Sequence, residues 1–197
     1  GSKLFSVLPS SGVGDFDFTR SGSATRINSQ GLIEEVANGV SRLNYPMIDG
    51  KVVGCPHHIL EPQSTNLITQ SELFSDASWG KTATIVGANS IISADGTQNA
   101  SLIQSTQTAT AYVAPNNLTL TIGNTYTFSC FAKKGNNDWI RLAHITSGGT
   151  GCWFDLENGV VGTVNSQSAT IEYYGNGWYR CTNTFIAIDD TNLDNAF

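Results

Sequence analysis

Residues 124–143 read Asn124-Thr-Tyr-Thr-Phe-Ser-Cys-Phe-Ala-Lys-Lys-Gly-Asn-Asn-Asp-Trp-Ile-Arg-Leu-Ala143, and this stretch determines the predicted fold. Apolar and polar side chains alternate on both sides of the turn-forming cluster at 135–138, which is typical of two β-strands joined by a short turn. Alternation with period two places one face of each strand against a core and leaves the other face outside. The sequence therefore predicts a β-hairpin here.

The rest of the chain repeats this pattern in shorter runs. The 197 residues are 40% hydrophobic but only 13% charged, with 20 glycines, which suits short strands and turns better than helices. Residues 1–70 are expected to form thin β-ribbons. About eight longer strand-like runs follow within 71–197, which favours a β-sandwich of the jelly-roll type. The predicted class is all-β.

Composition also argues against several classes of function. The net charge of −6 and the absence of a basic run argue against a nucleic-acid partner. No apolar run approaches the roughly 20 residues of a membrane span, so no membrane insertion is expected. The four cysteines are widely spaced, which disfavours a zinc site. Cys130, Cys152 and Cys181 fit buried free thiols, and a Cys130–Cys181 disulfide between facing strands stays open.

The alternate strand positions that point away from the aliphatic core carry the residues that could bind a ligand. Flat aromatic rings suit the apolar C–H face of a sugar, and Arg, Asp and Asn suit its rim of hydroxyl groups. The alternative is that these aromatics are covered, by the ribbons of residues 15–65 or by another subunit, because large apolar surfaces rarely stay bare. The predicted carbohydrate-binding residues are Phe131, Lys133, Trp139, Arg141, Trp153, Asp155, Trp178 and Arg180, together with Tyr112.

Two groups of acidic residues need a separate assessment. Asp155 and Glu157 have a spacing that glycoside hydrolysis could use, but Glu157 directly precedes an Asn-Gly turn and is interpreted as a solvated turn residue. No catalytic activity is predicted for this chain. Asp190, Asn192 and Asp194 resemble the opening of a calcium loop without its later ligands, so they are candidate ligands for a structural calcium ion. No other cofactor is required.

A family resemblance runs along nearly the whole chain. Phe16-Asp-Phe-Thr-Arg-Ser-Gly-Ser-Ala-Thr-Arg26, Gly31-Leu-Ile-Glu-Glu35, Arg42-Leu-Asn-Tyr45 and Leu60-Glu-Pro-Gln-Ser-Thr-Asn-Leu67 resemble a region of bacteriophage tail-fibre, head-fibre and spike proteins. Tyr126-Thr-Phe-Ser-Cys-Phe-Ala-Lys-Lys-Gly135, Phe154-Asp-Leu-Glu-Asn-Gly159 and Gly177-Trp-Tyr-Arg-Cys181 are similar to jelly-roll, non-catalytic carbohydrate-binding modules.

This resemblance implies a structural and adhesion protein, made in the bacterial cytoplasm and placed on the surface of the phage particle. Its expected partners are a polysaccharide or glycan, other virion proteins and further copies in a homotrimer. Relatives continue with a further strand or two, so the second domain is expected to be truncated at its C-terminus. Two other functions stay open: an accessory domain of a polysaccharide depolymerase or lyase whose catalytic part is absent, or a purely structural scaffold or oligomerisation module.

Overall fold

The computed structural model describes residues 19–108, 111–116, 118–143 and 151–188, and within these ranges the chain forms β-strands and no helix. All strand pairs described are antiparallel. The predicted all-β class is therefore confirmed, and the jelly roll stays a prediction. The chain divides into two compact units, Gly1–Ser64 and Thr65–Phe197, whereas the sequence placed the boundary near residue 70.

The smaller unit consists of short two-stranded ribbons, as its short sequence runs predict. Strand β1 (Ala24–Ile27) pairs with β2 (Ile33–Val36), β3 (Leu43–Asn44) with β6 (His57–His58), and β4 (Met47–Ile48) with β5 (Lys51–Val52). The turn after β1 is stabilised by Asn28, whose side-chain oxygen accepts hydrogen bonds from the backbone of Gln30 and Leu32.

The larger unit holds the remaining strands, and two three-stranded sheets dominate it. One sheet has the order β11–β16–β15 and the other β12–β13–β14, while β7 pairs with β10 and β8 with β9. The strands are β7 (Trp79–Thr82), β8 (Thr84–Ile91), β9 (Ala100–Ser105), β10 (Tyr112–Pro115), β11 (Thr125–Lys133), β12 (Trp139–Ala143), β13 (Gly151–Asp155), β14 (Val160–Asn165), β15 (Ser168–Gly175) and β16 (Trp178–Ile186).

The predicted hairpin of residues 124–143 is wrong, although both of its strands exist. Strand β11 pairs with β16, and β12 pairs with β13, so the two runs lie in different sheets. The backbone carbonyl of Asp138 accepts a hydrogen bond from Leu156 N at 2.7 Å, which ties the connecting turn to the end of β13. The turn at 134–138 therefore carries the chain from one sheet to the other.

The inner faces of these two sheets contribute to one buried cluster. Phe128 and Cys181 come from the β11–β16–β15 sheet, and Leu142 and Phe154 from the β12–β13–β14 sheet. Asn183 joins the sheets directly, because its fully buried side-chain amide donates to the backbone carbonyl of Leu142 at 3.0 Å. Since both sheets turn their apolar side chains toward this cluster, their outer faces point away from each other.

Candidate functional site

The predicted binding residues separate into two groups because they belong to different sheets. Trp139, Arg141 and Trp153 lie on the outer face of β12–β13–β14, which we call the indole face. The other predicted residues of β11 and β16 lie on the outer face of the other sheet, where Phe131 is opposite Arg180 and Lys133 is opposite Trp178. A single flat platform made of all the predicted residues is therefore excluded by strand pairing.

The indole of Trp139 lies across its own sheet, over Gly162 of β14. A Cβ atom added at Gly162 would lie only 2.6 Å from Cζ3 of Trp139 and 3.4 Å from Cβ of Trp153. The missing side chain of Gly162 thus makes room for the six-membered ring of Trp139. Trp139 is nevertheless 47% exposed, so the sheet supports the side chain while much of it stays open to a ligand.

Trp153 is the second open aromatic residue of the indole face, and it is 41% exposed. It lies directly opposite Arg141 on the neighbouring strand, and the guanidinium carbon of Arg141 is 5.8 Å from the centre of the indole. This separation permits a cation–π interaction, which orients the Arg141 side chain beside the indole. A shift in register between β13 and β14 falls next to Trp153, where a β-bulge re-aims side chains.

The outer face of β11–β16–β15 is mixed in character. Phe131 packs edge-on against Tyr174, with ring centres 5.0 Å apart. Burial raises the pKa of the Tyr174 hydroxyl, and a nearby Glu172 raises it further, whereas a hydrogen bond with Arg180 acts in the opposite direction. Phe131 and Arg180 are thus engaged with neighbours on their own sheet, although Phe131 remains 39% exposed.

Trp178 departs from the prediction, because it is only 7% exposed. As predicted, Trp178 lies on the face of β16 that points away from the core residues Cys181 and Phe185. Its indole N–H, however, donates a hydrogen bond to the backbone carbonyl of Ile92 at 3.1 Å. A segment that lies 86 positions earlier in the chain therefore covers this ring. The prediction that Trp178 offers an exposed surface is wrong.

Asp155 was also predicted to face a ligand, and it is likewise only 7% exposed. Its carboxylate accepts hydrogen bonds from Asn158 Nδ2 at 2.8 Å and from the backbone N–H groups of Glu157 and Asn158. These hydrogen bonds hold the pKa of the Asp155 carboxyl below its usual value, and the bonds from Asn158 have the larger effect. Asp155 thus stabilises the turn after β13, and the carboxylate of Glu157 pairs with Lys134.

Two further predictions have different outcomes. Tyr112 packs against the buried cluster from strand β10, so it does not extend the indole face. The proposed calcium ligands Asp190, Asn192 and Asp194 lie outside the described residues. Within the described ranges, no group of three or more His, Cys, Asp or Glu side chains is arranged to hold a metal ion.

The cysteines are free thiols in the structure. Cys130 and Cys181 lie directly opposite each other on β11 and β16, as the alternative disulfide would require. Burial raises the pKa of Cys181 to about 12 and that of Cys130 well above its usual value. Such thiols are largely protonated at neutral pH, which makes them poor nucleophiles.

Sequence reasoning missed Gly162, because strand β14 was not predicted at all. Its sequence, Val160-Val-Gly-Thr-Val-Asn165, has β-branched residues on both faces and a central glycine. A glycine inside a strand is a signal for a bulge or for close approach of another group, and here both occur.

Comparison with known proteins does not assign the chain to a family. No protein-family model matches it, and no curated protein is significantly similar to it in sequence. The part of the chain that the structure describes contains no helix long and apolar enough to cross a membrane.

Proposed function

We propose that the larger unit is a non-catalytic carbohydrate-binding module of a bacteriophage fibre or spike, which holds a cell-surface or extracellular polysaccharide on its indole face. The observation that carries the proposal is the pair of half-exposed indoles, Trp139 and Trp153, on adjacent strands of one sheet. Two such rings side by side can each take the apolar face of one sugar ring. Arg141 beside them supplies hydrogen-bond donors for hydroxyl groups.

The packing of the two indoles against their own sheet favours ligand binding. Trp139 is seated over Gly162, and Trp153 carries a guanidinium group beside it. A ligand that binds to preorganised rings loses less affinity to the ordering of side chains than one that binds to mobile rings. The phage origin, the location on the particle surface and the association with other virion proteins rest on the sequence resemblance.

The test is an array of bacterial capsular, lipopolysaccharide and exopolysaccharide glycans, probed with the wild type and with Trp139→Ala and Trp153→Ala. Each variant should bind the glycans that the wild type retains at least about tenfold more weakly. A loss of roughly 60 Å² of apolar contact lowers the binding free energy by an amount that corresponds to this change in affinity. Phe131→Ala is the matched control, since it removes an exposed aromatic from the opposite outer face and should leave binding unchanged.

Three outcomes would contradict the proposal. Retention of no glycan by the wild type would remove the binding function, and equal losses in Phe131→Ala would show that the indole face is not the site. Release of new reducing ends from a retained polysaccharide would show that the chain is an enzyme.

A second candidate function is assembly, in line with the homotrimer that the resemblance implies. The ribbon β8–β9 and the residue directly after β8 leave five large aliphatic side chains more than a third exposed, which is unusual for a protein surface: Ile85, Ile91, Ile92, Leu102 and Ile103. A copy packed on one face of this ribbon would bury Ile85, Ile91 and Leu102, which the strand register places on the same side. Sedimentation equilibrium of the wild type and of Leu102→Asp tests this candidate, which requires a trimer that the substitution dissociates.

A further inference from the structure

A cleft of about 410 Å³ opens at one end of the larger unit, beside the turns that follow β11, β13 and β15. This volume lies in the range of pockets that hold small ligands. The wall is formed by Lys133 and Lys134 from the end of β11, Leu156 and Glu157 after β13, and Tyr173 and Tyr179 from β15 and β16. None of the residues that close this cleft, apart from Lys133, was predicted to bind a ligand.

Two tyrosines form the aromatic wall of the cleft. Tyr173 and Tyr179 are opposite each other on neighbouring strands, with ring centres 5.1 Å apart. The hydroxyl of Tyr173 accepts a hydrogen bond from Gly177 N at 3.2 Å, which leaves its own proton available for a ligand. Tyr179 rests on Gly159, where an added Cβ would approach the ring to 2.8 Å. Both rings are therefore held in place before any ligand arrives.

Tyr179 is suited to donate a hydrogen bond. Burial raises the pKa of its hydroxyl, and the neighbouring Tyr173 and the carboxylates of Glu157 and Asp155 raise it further. The hydroxyl accordingly keeps its proton at neutral pH. A ligand in the cleft thus meets donors from two phenol groups.

The two lysines of the cleft differ in their electrostatic surroundings. Lys134 is paired with Glu157 and lies 3.0 Å from Asp138, and these hydrogen bonds, that to Glu157 first, raise its pKa. Lys133 forms no ion pair with any residue that the structure describes. Its stem passes over Gly177, where an added Cβ would lie 3.2 Å from Cε of Lys133. The Lys133 ammonium is therefore the cation that remains available to a ligand.

We propose that this cleft binds an acidic sugar residue, with the ligand's carboxylate on Lys133 and its ring against Tyr173. The proposal rests on the glycan-binding function proposed above and specifies the class of polysaccharide. A singly charged carboxylate fits better than a doubly charged phosphate, because Lys134, Asp138 and Glu157 together carry one net negative charge nearby. A neutral sugar offers the Lys133 ammonium only hydroxyl oxygens, whereas a carboxylate accepts a stronger, charge-assisted hydrogen bond.

The cleft is adjacent to the indole face along the chain. Asp138, which is bound to Lys134 at the border of the cleft, immediately precedes Trp139. Trp139 in turn lies opposite Asp155, two residues before Glu157. A polysaccharide chain on the indoles can therefore continue past this ion-paired group, and the cleft receives an acidic residue at the end of the chain or on a branch.

The experiment uses the same array, which must carry glycans with hexuronate, sialate, phosphate and sulfate groups as well as neutral ones. Each retained acidic glycan is then compared with its carboxyl-reduced, neutral derivative by calorimetric titration. The wild type should bind the carboxylate form about tenfold more tightly, as for one charge-assisted hydrogen bond. Lys133→Gln should abolish this preference, and the matched control Lys133→Arg, which keeps the positive charge, should retain it.

Trp139→Ala separates the two proposals, because it should weaken both forms of the glycan equally and leave their ratio unchanged. Equal binding of the carboxylate and reduced forms by the wild type, an unchanged ratio in Lys133→Gln, or retention only of neutral, phosphorylated or sulfated glycans would overturn the inference about the cleft. None of these results would contradict the indole face. Failure of the wild type to retain any glycan would overturn both proposals.

Discussion

Replacing Gly162 by alanine tests how the indole face is held. The new Cβ would lie 2.6 Å from Cζ3 and 3.2 Å from Cη2 of Trp139. Since carbon atoms pack at about 3.5–4.0 Å, the indole must move away from the sheet by about 1 Å. The backbone φ of Gly162 is not in the left-handed region, so alanine introduces no backbone strain. The substitution therefore changes the position of one ring.

The expected change in stability is small. Trp139 is 47% exposed, so about half of the roughly 250 Å² of a tryptophan side chain is buried, which contributes about 3 kcal/mol. Moving the ring by about 1 Å forfeits roughly a quarter to a half of its contacts with the sheet, or about 1 kcal/mol. Alanine recovers about 0.4–1 kcal/mol by restricting the unfolded chain. The free energy of unfolding should therefore change by less than about 1 kcal/mol.

Urea denaturation and binding measurements together test this prediction. The control for stability is Gly135→Ala, because a Cβ at Gly135 meets no atom within 4 Å. Gly162→Ala should keep its stability within about 1 kcal/mol of that control, while its indole N–H resonance for Trp139 shifts and its glycan affinity falls toward that of Trp139→Ala. A loss of more than about 3 kcal/mol, or an unshifted Trp139 resonance, would refute the reasoning.

Three other predictions follow from the burial of individual side chains in the structure. Asp155→Ala should lower the melting temperature at pH 7, because it removes the acceptor of the turn after β13. The lowered pKa of Asp155 makes its contribution complete above the usual value of 3.8 and lost as the pH falls through the lowered value. The wild type and the variant should thus converge in melting temperature toward pH 2, and a constant difference would contradict this. Trp178→Phe should cost about 1 kcal/mol in denaturant titrations through the lost hydrogen bond to Ile92, and Trp153→Phe, the exposed control, should cost less. In the native protein, a thiol reagent at pH 8 should modify the exposed Cys55 quickly and the buried Cys152 and Cys181 only on unfolding, and rapid modification of Cys181 would be inconsistent with its raised pKa.

Local pattern was sufficient to predict strands and the orientation of their side chains. Alternation placed Trp139 and Trp153 outside the core, and the structure agrees at both positions. These assignments succeed because the direction of a side chain in a strand depends only on position within that strand.

Strand partners could not be predicted in the same way. The Gly-Asn-Asn-Asp cluster at 135–138 is a turn signal for any change of direction, and it does not specify whether the next strand pairs with the last one. The choice depends on contacts distant in sequence, such as Cys130 opposite Cys181. Because the hairpin was predicted wrongly, Phe131 and Trp139 were assigned to one face.

The solvent exposure of a side chain could not be predicted from its position in a strand either. Trp178 points away from the core, but its indole is hydrogen-bonded to Ile92, and no local sequence pattern connects these two residues. Asp155 is different, since its burial had a sequence signal. An Asp three residues before Asn-Gly is typical of a side chain that accepts hydrogen bonds within its own turn.

The separation of the two outer faces also bears on how the protein meets a polymer. On the β11–β16–β15 face, hydroxyl groups bond to each other across strands, with Thr127 and Thr184 2.9 Å apart and Thr170 and Thr182 2.5 Å apart. Paired hydroxyl groups offer fewer free donors to a sugar than the open indoles do. The buried cluster lies between these paired hydroxyl groups and the indole face, and a ligand chain on the indoles meets this sheet only at Lys133, beside the cleft. Binding losses at Trp139, Trp153 and Lys133, without losses at Thr127 or Thr170, are therefore the result that a single ligand chain requires.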